Sequence, residues 1–223
     1  MKTLVFIHGW ASSPEVWYKQ KEYFKKYNIL LPELDLDNLK DNADKIYSLC
    51  KGKGNLAIIA WSMGWLVTLK LMEYFPLDIK ALVSICGTPK FISEDYLDGG
   101  IRRQQLRALR LALKKDFTSA LNRFYQQHRI PLRAENFLNK KELWIKQLDI
   151  LEKEDLRKNL SLIECPTLFI TGQDDMLSPI SLQNYMSNYV KNSVIRVVEF
   201  SAHAPFIDNS KEINNFIKGT VLA

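Results

Sequence analysis

The sequence predicts a doubly wound α/β sheet, and three observations carry that prediction. Short runs rich in Val, Ile and Leu recur along the chain. Stretches with helical spacing of apolar residues separate several of them. Polar residues able to do chemistry follow the runs. Near-continuous apolar runs of this length suit parallel strands covered on both faces, and their alternation with amphipathic helices is the α/β pattern.

In order, residues 4–7, 29–34, 56–60, 81–86, 167–171 and 194–200 read as about six strands. Val16, Trp17, Tyr23 and Phe24 fit one helix face, and Trp65, Leu66, Leu69, Leu71 and Met72 fit another. The rhythm breaks after residue 90. From there to residue 160 the pattern is helical, with Leu106, Leu109 and Leu113, then Phe117, Leu121, Phe124 and Tyr125, then Leu143, Trp144 and Leu148. A helical insertion of that length exceeds an ordinary crossover. The expected organisation is therefore a core of residues 1–90 and 161–223 with a helical cap, or lid, of residues 91–160.

Composition bounds the remainder. With 223 residues, 47% hydrophobic and 25% charged, the chain suits one globular core. No apolar run reaches the roughly 20 residues that span a bilayer. The opening residues are too short an apolar stretch for a signal peptide and suit a strand that begins at once. Cys50, Cys86 and Cys165 lie far apart and read as buried thiols rather than disulfides or a metal site. A cytoplasmic address follows as the expectation. The net charge of +6 is local: residues 101–133 carry nine basic side chains and only Asp116 as an acid. A patch on one segment implies an anionic partner for that segment. No nucleic-acid motif accompanies it.

Ligands of open parallel sheets bind at the carboxyl ends of the strands. Collected there are His8-Gly9-Trp10, Ser62 in the turn Ala60-Trp61-Ser62-Met63-Gly64, Gly172-Gln173-Asp174-Asp175, and Ser201-Ala202-His203. Each part has an ordinary reading: Ser62 as a helix cap, the aspartates as a turn, His203 and His8 as structural side chains, His128 as a surface residue. Serine, acid and histidine in that order at three strand ends are harder to dismiss.

This order and the strand–serine–helix turn resemble the α/β-hydrolase fold family, whose triad runs Ser, Asp, His along the chain. The resemblance implies Ser62 as nucleophile, His203 as general base and Asp175 as the acid. Asp175 is favoured over Asp174 by the family's G-x-x-D turn. It also implies an oxyanion hole from the backbone N–H groups of Met63 and Trp10, with no metal and no cofactor. Four stretches, "FIHGWASSPEVW", "AWSMGW", "DLRKNLSLIECPTLFITGQDDMLSP" and "SAHAPFIDNSKEI", are similar to the pimeloyl-[acyl-carrier protein] methyl ester esterases of biotin synthesis. That likeness implies a serine carboxylesterase acting on a carrier-bound methyl ester. Phe124 and Trp10 would face the substrate. Arg102, Arg103, Arg107, Arg110 and Arg123 would meet the acidic acyl-carrier protein and its phosphorylated arm, while Leu106, Leu109, Leu113 and Phe124 would line an acyl channel or pack the cap. Trp65 departs from the pattern, standing where that family usually has a second glycine. The alternatives are a broad short-chain carboxylesterase or thioesterase on the same triad and, less favoured, a non-catalytic ligand-binding protein of hydrolase fold.

Overall fold

The computed structural model describes residues 1–93 and 99–222; the 94–98 part of the expected cap lies outside the described residues. Six strands form one sheet: β1 (Thr3–Ile7), β2 (Asn28–Leu30), β3 (Leu56–Trp61), β4 (Ile79–Ile85), β5 (Thr167–Gly172) and β6 (Ser193–Val198). Their spatial order is β2-β1-β3-β4-β5-β6, and every pairing is parallel. β1, β3 and β5 are buried along their whole length, which is why their sequences show no polar alternation.

The chain leaves β1 toward one edge through α1 (Tyr18–Tyr23) and β2. It then returns through α2 (Leu39–Cys50) to β3 on the other side of β1, and continues through α3 (Met63–Tyr74) to β4. Right-handed crossovers therefore put α1 on one face and α2 and α3 on the opposite face. In agreement, α2 packs on α3, and α1 packs on the last helix, α9 (Ser210–Leu222). The direction of winding changes between β1 and β3. In parallel sheets that switch opens a crevice at the strands' carboxyl ends.

Two strands are shorter than the sequence suggests. β2 stops at Leu30 because Pro32, which has no N–H to give a ladder, follows closely. β6 stops at Val198, and Phe200 turns the chain with a φ of 54°. The expected helix through Val16 and Phe24 is a 3₁₀ turn (Pro14–Trp17) followed by the short α1.

Between β4 and β5 run α4 (Arg103–Lys115), α5 (Phe117–Gln127), a 3₁₀ stretch (Ala134–Lys140) and α6 (Lys141–Lys153). Asp116 caps α5 by accepting from the Ser119 N–H. These helices join the rest through buried polar contacts. Trp10 Nε1 donates to the Trp144 carbonyl at 2.9 Å, Tyr125 Oη to Ala11 at 2.5 Å, and Gln147 Nε2 to Leu34 and Leu36 at 2.8 and 3.0 Å. Leu106 and Leu113 are fully buried, whereas Leu109 and Phe124 line a cavity. After β5 come α7 (Ile180–Tyr189), β6, the one-turn α8 (Pro205–Asp208) and α9.

Candidate active site

Ser62 sits between β3 and α3 with φ 54° and ψ −120°, a conformation that a residue with a Cβ adopts only under constraint. Its N–H donates to the Ile85 carbonyl at 3.0 Å, and its own carbonyl accepts from Trp65 N–H at 2.9 Å. The strand is thereby turned into the helix within one residue. The hydroxyl makes no capping bond to α3. Instead Ser62 Oγ lies 2.9 Å from His203 Nε2.

Small neighbours make this turn fit. A Cβ at Gly64 would lie 2.6 Å from the Ile7 carbonyl oxygen and 2.7 Å from that of His8, so the first turn of α3 rests directly on the end of β1. A Cβ at Gly9 would lie 3.0 Å from the Ser62 Cβ. The loop carrying Trp10 therefore passes immediately beside Ser62. The Met63 N–H belongs to the first turn of α3, where backbone donors lack helical acceptors and the dipole is positive. His8 fixes the start of the same loop: Nδ1 donates to the Gly9 carbonyl at 2.8 Å and Nε2 accepts from Leu34 N–H at 3.1 Å.

His203 Nδ1 lies 3.0 and 2.9 Å from the two carboxylate oxygens of Asp175. Asp175 Oδ1 also accepts from the N–H groups of Leu177 and Ser178 at 2.9 and 3.1 Å. Burial works to raise this carboxyl, but the charge and hydrogen bond of His203 outweigh it and hold the group below the usual carboxylate range. Asp174 is exposed and pairs with Arg129 at 2.9 Å instead. The imidazole loop is itself held from below, where Trp61 Nε1 donates to the His203 carbonyl at 2.6 Å. Trp61 packs on Phe206, and Phe206 on Trp17, with centroids 5.1 and 4.2 Å apart.

Two residues lie near the Ser62–His203–Asp175 path in places the sequence did not indicate, although Cys86 is the buried thiol expected. Cys86 is buried, and its thiol, the Asp175 carboxylate and the His203 ring present ligand atoms within 4.8 Å of one another. Burial, reinforced by the Asp175 charge, pushes the Cys86 thiol well above its usual range. His128 is the other, and here the surface expectation is wrong. It is 5% exposed, its carbonyl accepts from His203 N–H at 3.4 Å, and its ring centroid lies 6.5 Å from that of His203. Burial and the neighbouring His203 charge lower its pKa to about 4. Its only sequence signal was the i, i+4 pairing with Phe124.

Beside the relay lies a cavity of about 320 Å³ whose walls include Leu109, Ala112, Phe124 and His128. Phe124 meets the Trp10 ring edge to face at 5.3 Å. The arginines expected to meet a partner divide in two. Arg103 pairs with Glu152 at 3.1 Å, and Arg110 with Asp149 and Glu152 at 2.7 and 3.1 Å, tying α4 to α6. Arg102, Arg107 and Arg123 are exposed, with no ion pair found among the described residues.

Comparison with solved structures places this architecture. An esterase from Exiguobacterium antarcticum superposes with a TM-score of 0.86 at 22% identity, covering 100% of this chain and 92% of that one. A bromoperoxidase from Bacillus anthracis gives 0.82 at 20% identity over 97% and 90%. The chain has the α/β-hydrolase fold. Its sequence also resembles curated proteins called pimeloyl-[acyl-carrier protein] methyl ester esterase. The one from Wigglesworthia glossinidia brevipalpis is 29% identical, covering 96% of this chain and 93% of its own, and that from Nitrosomonas europaea is 24% identical over 92% and 89%. No family model matches the chain. No helix of the described residues is long and apolar enough to cross a membrane.

Proposed function

We propose that this α/β-hydrolase is a serine carboxylesterase with Ser62 as nucleophile, and that its substrate is the methyl ester of a pimeloyl chain carried by acyl-carrier protein. The single observation that carries the reading is the continuous hydrogen-bonded path from Ser62 Oγ through His203 to buried Asp175. The resemblance to relatives bearing that substrate in their names supports the finer assignment.

In the proposed reaction Ser62 Oγ attacks the ester carbonyl as His203 Nε2 takes its proton. The negative oxygen of the tetrahedral intermediate accepts from the Met63 and Trp10 N–H groups. Asp175, ionised and fixed by two backbone N–H groups, keeps Nδ1 protonated and stabilises the imidazolium. The intermediate collapses as His203 returns the proton to the departing alkoxide oxygen, releasing methanol and leaving the acyl group on Ser62. Water then adds to the acyl carbonyl with His203 as base, and collapse regenerates the Ser62 hydroxyl and frees the carboxylate. The acyl chain is accommodated by the cavity along Leu109, Ala112 and Phe124. Hydrolysis of carrier-bound pimeloyl methyl ester by wild type and Ser62→Ala, beside p-nitrophenyl butyrate, tests both levels. The reading holds if the carrier-bound ester is cleaved and the substitution abolishes it.

One observation favours a broader carboxylesterase as the second reading. Arg103 and Arg110 are occupied by acidic partners on α6, which leaves fewer cations for an acidic carrier. Turnover of small esters without turnover of the carrier-bound one would select it.

A further inference from the structure

Asp175 sits in the connection between β5 and α7, and its carboxylate is aimed by the Leu177 and Ser178 N–H groups of that same connection. Two donors on a loop fix a carboxylate only as firmly as the loop itself is held. Ser178 is where it is held. Its carbonyl accepts from Thr171 Oγ1 on β5 at 2.6 Å, and its hydroxyl donates to the Gly87 carbonyl just beyond β4 at 2.5 Å. The same hydroxyl accepts from Gln183 Nε2 on α7 at 2.6 Å. One residue thus ties the loop of the acid to β5, to the end of β4 and to a helix.

Thr171, Ser178 and Gln183 are each at most 1% exposed. Buried hydroxyl and amide groups forfeit their bonds to water, so an apolar pair at 178 and 183 would fill the same space without that penalty. Gln183 Oε1 even lacks a hydrogen-bond partner among the described residues, which packing alone does not explain. The amide nitrogen is well used by contrast: besides the Ser178 hydroxyl it reaches the Ser178 and Gly87 carbonyls at 3.3 and 3.4 Å. What a polar network supplies and apolar packing does not is fixed direction. Here the direction fixed is that of the Ser178 N–H, 3.1 Å from Asp175 Oδ1.

We infer that Ser178, braced by Gln183, is a positioning residue that holds the Asp175 carboxylate in line with His203 Nδ1. Ser178 and Gln183 act through Asp175 rather than on the substrate. The inference rests on the esterase reading above and extends it to the side chains behind the acid. It does not depend on which ester is the natural one.

The test compares wild type, Ser178→Ala, and Ser178→Ala combined with Gln183→Met on p-nitrophenyl butyrate. Enzyme is counted by fluorophosphonate labelling of Ser62, so misfolded protein does not enter the rate. The double variant exchanges both buried polar groups for apolar ones, which restores much of any stability that Ser178→Ala alone loses. Rate and stability therefore separate. Both variants should lose kcat about tenfold, short of the hundredfold that a displacement of about 1 Å can cost, while KM changes less than about twofold. The far-downfield proton resonance of His203 Nδ1, bonded to Asp175, should move upfield or broaden in both. A kcat per labelled site within about twofold of wild type in the double variant, or an unmoved resonance, overturns the inference and leaves the esterase reading intact. If wild type neither takes the label nor cleaves the ester, the esterase reading itself fails and takes this inference with it.

Discussion

Gly87 stands against Trp65: a Cβ at residue 87 would lie 2.7 Å from the Trp65 Cβ and 2.8 Å from its Cγ. Trp65 occupies a place on α3 where the resembled family usually has glycine. Its ring is fully buried and meets Phe169 edge to face at 5.8 Å. The large side chain therefore fills the helix–sheet interface, and the missing side chain at Gly87 makes room for it.

Gly87→Ala should accordingly destabilise the protein by about 1–3 kcal/mol, the usual cost of overpacking a core. The Ser84 hydroxyl can rotate away from the new methyl, but the Trp65 Cβ cannot move without α3. Gly219→Ala supplies the control, since nothing lies within 4 Å of a Cβ there in α9. It should gain up to about 1 kcal/mol from helix propensity. Urea unfolding of both variants decides; equal and small shifts would mean that Trp65 adjusts freely.

The turn at Ser62 makes a second prediction about stored strain. Ser62→Ala removes the hydroxyl but keeps a Cβ at φ 54°, whereas Ser62→Gly also removes the constraint. Both variants should be inactive. The glycine variant should be the more stable by roughly 1 kcal/mol, because relief of φ outweighs glycine's entropy in the unfolded chain. A glycine variant that melts below the alanine variant would show that the turn is unstrained.

Much of this was legible in the sequence, for a physical reason. Strands buried on both faces announce themselves as unbroken apolar runs, so β1, β3 and β5 were found almost to the residue. Residues at their ends could then be gathered without knowing any distance. Edges were read less well: β2 and β6 lie at the rims of the sheet, where a turn residue rather than burial ends the strand. His128 was misread because part of its surroundings comes from His203, 75 positions away, and no local pattern records such a contact. The split among the arginines had the same origin, since α6 supplies the acids that occupy Arg103 and Arg110.

His8 gives the pH dependence of stability a specific source. Burial lowers its pKa to about 4, and its Nε2 must stay unprotonated to accept from Leu34 N–H. In the unfolded chain the same imidazole takes a proton near pH 6.5. Between these values the unfolded state binds more protons, so stability falls as pH drops from about 6.5 to 4, by up to roughly 3 kcal/mol. His8→Gln should be less stable at neutral pH yet show a flatter decline through that window. Parallel urea-midpoint curves for the two proteins would remove His8 as the cause.

The arginines of the cap make the last prediction, because their environments assign them different work. Arg110 is half-buried and clamps α4 to Asp149 and Glu152 on α6, so Arg110→Ala should cost about 1 kcal/mol of stability and affect all esters alike. Arg107 and Arg123 are exposed, with no ion pair among the described residues, and Arg123 stands at the cavity wall. Their charge is free to meet an anionic carrier. Arg107→Glu with Arg123→Glu should therefore lower kcat/KM for a carrier-bound methyl ester tenfold or more while changing p-nitrophenyl butyrate hydrolysis less than about twofold. The deficit should arise from association, and raising salt should shrink it by weakening the wild type, since screening erases steering between exposed charges. Equal losses on both substrates, or a deficit indifferent to salt, would mean that this face does not receive the carrier and that the basic segment serves only to hold the cap together.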